Sequence, residues 1–129
     1  YKTAKHLLTT NPIAVPCIIT LAGTEPEEGC VIEHTGNRVH IHPAPVTAAN
    51  HWLTEGLKGH ERGNKSRERA NLMGNTNQIS KTALLDWLKP PILNQTTRLA
   101  GIMNPNTGKI LIQGFEREGE ATAPLSITV

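Results

Sequence analysis

The chain has 129 residues, 13 Lys and Arg against 11 Asp and Glu, and a net charge of +2. That length fits one domain, expected over 1–129, and so small a surplus does not argue for nucleic acid without a clustered basic face. Apolar residues make up 37% and charged residues 19%, with 11 Gly and 9 Pro, a globular, loop-rich composition in which no run approaches the ~20 apolar residues that span a bilayer.

Residues 1–10 place Ala4, Leu7 and Leu8 opposite Lys2 and Lys5, a helical spacing that Asn11-Pro12 ends. The run Cys17-Ile18-Ile19-Thr20-Leu21-Ala22 is apolar and β-branched, so we expect a strand buried on both faces. A polar loop over 23–29 leads to a strand at 30–34, a tight turn at Thr35-Gly36-Asn37, and a strand at 38–42 that alternates with period two. A further short strand is expected at 46–50. Residues 53–64 form a loop spaced by Gly56, Gly59 and Gly63, and loops of that length often carry function. A short helix is expected from Ser66 to Met73. A stronger one starts at Ser80, with Ile79 stapled on Leu84 and an apolar stripe of Leu84, Leu85 and Leu88, and ends at Pro90-Pro91. Strands at 97–103 and 109–115 flank the turn formers Asn104-Pro105-Asn106-Thr107-Gly108 and pair as a hairpin. A last strand covers 125–129. The order of elements gives an α+β class with mostly antiparallel pairing.

Only four aromatics occur, Tyr1, Trp52, Trp87 and Phe115, so the core must be built from small aliphatics. Cys17 and Cys30 lie in apolar runs and are read as small buried hydrophobes. His34, His40 and His42 raise the question of zinc, which needs three or four ligands in tetrahedral reach. The simpler expectation is that they are exposed strand positions, with Val39 and Ile41 facing the core; no metal is assigned. The mixed-sign stretch holding Lys58, Arg62, Lys65, Arg67 and Arg69 reads as a solvated surface, not a nucleic-acid site. Asn50-His51-Trp52 stands at a strand end before the glycine-spaced loop, with Ser66-Arg67 returning beyond it. Such a set either builds a pocket wall or simply caps a sheet edge.

Three segments in order resemble one family: Asn11-Pro12-Ile13-Ala14, then Gly23-Thr24-Glu25-Pro26-Glu27-Glu28-Gly29-Cys30-Val31-Ile32, then Asn50-His51-Trp52. Ser66-Arg67 and the stretches Pro91-Ile92-Leu93-Asn94-Gln95-Thr96-Thr97-Arg98 and Ile102-Met103-Asn104-Pro105 extend the likeness. The family is the acid ceramidase and N-acylethanolamine-hydrolysing acid amidase group, within the choloylglycine-hydrolase-like N-terminal-nucleophile hydrolases. The resemblance covers the C-terminal half of that catalytic unit. It implies a four-layer α-β-β-α fold and hydrolysis of linear carbon–nitrogen amide bonds in small-molecule acyl-amide or ceramide-like substrates, with no cofactor.

The family's nucleophile is a cysteine exposed at a chain start, followed closely by Arg and Asp. This chain starts at Tyr1, inside a helix, and Cys17 follows Pro16 in a strand that looks buried. The resemblance therefore implies a cysteine-bearing N-terminal half as partner, and an inactive chain without it. It gives Asn50 and Arg67 catalytic roles, with Arg69 competing for the second, and His51 and Trp52 contact with substrate. A side-chain amide N–H suits the oxygen that becomes negative when an amide carbonyl is attacked. A guanidinium stays charged and offers a rigid fork of donors. The alternative is a non-catalytic binding or structural module that keeps the fold without the nucleophile. We also expect an apolar sheet face that the partner half covers, or a second copy in a homo-oligomer.

Overall fold

The computed structural model describes residues 1–59, 63, 65–76 and 85–129. Within the single domain expected over 1–129, contacts cluster into two compact units, Tyr1–Gly74 and Asn75–Val129. The class is α+β, and every strand pairing among the described residues is antiparallel.

The first unit opens with α1 (Lys2–Thr10). It stops at Asn11, whose backbone N–H and Nδ2 both donate to the Leu7 carbonyl, at 3.1 and 2.8 Å. Three strands follow as a meander, β1 (Cys17–Ala22), β2 (Gly29–His34) and β3 (Val39–Pro43), in the order β1-β2-β3. Gly36 takes φ +84° in the turn between β2 and β3, a conformation that favours glycine.

The strand buried on both faces is β2, not β1. In β1, Thr20 and Ala22 are exposed and the rest is half-buried, whereas Cys30 through His34 are all buried. Position in the sheet decides this: β1 is an edge strand with one neighbour, and β2 has two. Burying Val31 and Ile32 is worth roughly 1.5–3 kcal/mol apiece, and an unpaired Glu33 charge beside them would undo that gain. Residues paired across strands share a face, so Glu33 lies with Ile18 and His40, and Val31 with Thr20 and His42. The histidine face is therefore the inward one at β3, reversing the expected alternation. Ile41 is 43% exposed, and His40 Nε2 is buried.

The strand expected at 46–50 does not form. Pro43 and Pro45 cannot donate to a ladder, and the segment bonds instead to α2 (Ser66–Gly74). Thr47 Oγ1 donates to the Ala70 carbonyl at 3.0 Å, and the Asn50 N–H donates to Ser66 Oγ at 2.7 Å.

In the second unit the first part of the helix expected from Ser80, with Ile79 against Leu84, lies outside the described residues, and its remainder, with Leu85 and Leu88, is not helical. From Leu85 onward the chain runs in turns, closed by the Leu88 N–H on the Leu85 carbonyl at 2.9 Å. The hairpin expected around Asn104 to Gly108 is present as β4 (Leu99–Asn104) and β5 (Lys109–Glu116). Two more strands pair with β5: β6 (Gly119–Glu120), too short to be legible beforehand, and β7 (Leu125–Thr128). The register separates two faces. Ala100, Gln113 and Phe115 are buried on one. On the other, Leu99, Met103, Leu125 and Ile127 are 66, 69, 53 and 40% exposed.

Candidate functional site

A cavity of about 900 Å³ opens in the first unit, walled by residues at the start of β1, the 49–59 segment and α2. Asn50, His51, Trp52 and Arg67 all line it, so the four site residues taken from the sequence are brought together. Cys17 lines it too, and this corrects the expectation that Cys17 is shut inside a strand. It is the first residue of an edge strand and only half-buried. Cys17 and Cys30 are both free thiols, and Cys17 pairs across the sheet with His34, not Cys30.

Two side chains from α2 hold Asn50. Its backbone N–H rests on Ser66 Oγ, and Arg69 Nη2 donates to its Oδ1 at 2.8 Å. The same Ser66 hydroxyl lies 2.8 Å from His51 Nδ1. Ser66 is fully buried; it fastens the Asn50-His51 segment to the helix start and is closed to substrate. Gly63, at φ +83°, lies close over the pair, since a Cβ there would stand 3.1 Å from Arg69 Nη2.

Trp52 lies against Gly59. A Cβ at that glycine would be 2.6 Å from Trp52 Nε1, so any larger residue would displace the indole from the wall. Leu57, Ile18 and Val15 continue the apolar lining, and Lys58, Arg67 and Glu55 supply its charges.

The floor of this segment is set by Glu33, which is fully buried. Its carboxylate accepts the backbone N–H groups of Leu53 and of Thr54, the latter at 3.0 Å, and pairs with His42 Nε2 at 3.0 Å. His42 Nε2 also lies 3.1 Å from Thr54 Oγ1. Burial is the largest influence on Glu33 and favours its neutral form. Hydrogen bonds from Thr54, His42 and the two backbone amides together outweigh it and hold the carboxyl below the usual carboxylate range. The site thus has an ionised carboxylate behind its wall.

Glu33 escaped the sequence reading, and Ser66 and Gly59 were marked there without the contacts that give them their parts in the wall. Glu33 left a signal, a lone carboxylate in Cys30-Val31-Ile32-Glu33, since buried charges are kept only where they are paired. The partners of Ser66 and Gly59 left none, because Asn50 and Trp52 are sixteen and seven residues away in the chain. Among the described residues no group of three or more His, Cys, Asp or Glu is placed to hold a metal. Of the three candidate histidines, His34 lies on the face opposite His40 and His42. Comparison with known proteins finds no matching family model, no matching curated protein and no matching solved structure.

Proposed function

We propose that this chain forms the C-terminal part of a four-layer α-β-β-α amide hydrolase, acting on linear carbon–nitrogen bonds of acyl-amide or ceramide-like molecules. In this reading the nucleophile is a cysteine on an N-terminal half outside these 129 residues. Asn50 donates its amide N–H to the oxygen of the attacked carbonyl, Arg67 stabilises the negative charge that develops there, and Trp52 and His51 wall the substrate. The observation that carries the reading is the convergence of Asn50, Arg67, His51 and Trp52 on one cavity with an apolar wall. It has room for an acyl chain, since ligand cavities commonly measure ~300–1,000 Å³.

The test pairs this chain with its encoded upstream segment and measures fatty acid released from a panel of N-acyl amides. The pair is expected to turn over and the 129-residue chain alone to be inert. Asn50→Ala in the pair is expected to lower kcat by roughly 10²–10³, as for other donors to an oxyanion. Turnover by the chain alone that Cys17→Ala abolishes, or full activity in Asn50→Ala, would overturn the assignment.

A further inference from the structure

We propose that Arg69 is a positioning residue whose bond to Asn50 Oδ1 turns the Asn50 amide so that its Nδ2–H, and not its carbonyl, is offered to the cavity. The inference rests on the amide-hydrolase reading only for what that donor is used for. A guanidinium carries five N–H donors and no acceptor. The amide atom 2.8 Å from Arg69 Nη2 must therefore be the oxygen. With Oδ1 turned toward Arg69, the planar amide turns its NH₂ to the other side, and that NH₂ is the group Asn50 offers a ligand.

The surroundings fix this orientation from two sides. Ser66 and Arg69 stand three residues apart in α2, on one helix face, and they grip the backbone and the side chain of Asn50 respectively. Gly63 admits the pair from above: a Cβ there would lie 3.1 Å from Arg69 Nη2 and 3.4 Å from Asn50 Oδ1. Arg67 lies off the Ser66–Arg69 face and lines the cavity. The two arginines therefore divide the work that one was expected to do. Arg67 meets the ligand, and Arg69 orients the donor beside it. At Asn50 the cavity selects an acceptor, a carbonyl or carboxylate oxygen.

The side-chain amide signals of Asn50 in the full 129-residue chain report this directly by ¹H–¹⁵N NMR, with octanoate as probe. In the wild type, octanoate is expected to shift the Nδ2 pair. Arg69→Ala should move that pair toward the position of an unrestrained asparagine in the free protein. It should also weaken octanoate by about fivefold to tenfold, the loss of one ordinary hydrogen bond. Arg69→Lys keeps a donor and should recover part of both effects. Arg67→Ala should weaken octanoate while leaving the free-protein Asn50 signals unchanged. If Arg69→Ala unfolds the chain, Gly63→Ala parts the same pair from outside the helix and should reproduce the shift. Asn50 signals and octanoate affinity unchanged in Arg69→Ala, or in a folded Gly63→Ala, would overturn the proposal. Octanoate binding with this Arg69 dependence, but no amide turnover in the pairing experiment, would support Arg69's role while the hydrolase reading fell.

Discussion

Replacing Glu33 by Gln removes one oxygen and the charge from a fully buried carboxyl and leaves its shape unchanged. In the native protein that carboxylate accepts the N–H groups of Leu53 and Thr54 and pairs with His42. A glutamine can satisfy one side of this arrangement with its carbonyl, but its NH₂ must then face a donor. Hydrogen bonds to a charged group contribute about 1.5–3 kcal/mol, and a buried donor left unsatisfied costs about 1–3 kcal/mol. A loss of about 2–4 kcal/mol at pH 7 follows, a large share of the stability of a small chain. The pH dependence carries a definite sign. The native carboxyl ionises below the usual carboxylate range, so its contribution is complete above about pH 4.3 and disappears as pH falls through the lowered native value. Urea denaturation of wild type and Glu33→Gln between pH 3 and 7 should show a wide gap in midpoint at neutral pH that narrows below pH 4. Equal midpoints at pH 7, or a gap that widens as pH falls, would refute the account of Glu33 as the ionised support of the 53–54 segment.

Tyr1 is the only tyrosine, so its phenol can be titrated alone by ultraviolet difference absorbance. Its hydrogen bond to Cys30, then burial, then the charges of Cys30 and Glu28 push its pKa up to about 12, and ionisation near 10 would show that the contact with Cys30 is not made. Because that native value is raised, the contact's stabilising effect is complete below about pH 10 and is lost at higher pH. The exposed face of the β4-β5-β7 sheet should bind a hydrophobic dye, and Met103→Lys with Leu125→Lys should abolish that binding while costing within about 0.5 kcal/mol each, as for other surface changes. A loss of several kcal/mol in calorimetry would show instead that this face is covered.

Local signals carried most of the fold. The β-branched runs at 17–22 and 30–34, the alternation at 38–42 and the turn formers at 104–108 each set an element without help from distant residues. What failed was everything that depended on a neighbour. Cys17-Ile18-Ile19-Thr20-Leu21-Ala22 is more apolar than Gly29-Cys30-Val31-Ile32-Glu33-His34, yet the second is the buried strand, because pairing on both edges is a property of sheet order and no window of sequence contains it. The same holds at 46–50, where β-branched residues predict a strand and no sheet edge receives it. For the site, Asn50, His51, Trp52 and Arg67 stood out by resemblance and by their place beside a glycine-spaced loop. Which arginine touches Asn50 depended on helix phase, two residues apart, and only three-dimensional placement separates Arg67 from Arg69.

The wall of the cavity is built in an unusual way for a chain so rich in strands. Residues 46–54 carry the candidate chemistry mostly half-buried and with no ladder to hold them, and backbone groups taken from water without partners are costly. Side chains supply the missing bonds: Ser66 accepts from Asn50, Glu33 accepts from Leu53 and Thr54, and Thr47 reaches the Ala70 carbonyl. Glu33 belongs to the sheet and Ser66 and Ala70 to the helix, all outside the segment they hold, so the wall's geometry follows the sheet and the helix instead of its own local preferences. Weakening Glu33 or Ser66 should therefore loosen the wall before it melts the sheet, since neither takes part in the pairing of β1 with β2 through its side chain. A segment fixed in this manner can place an amide and an aromatic at one cavity without the alternation a strand would impose. In a strand, Asn50 and His51 would point to opposite faces; here both line the same cavity.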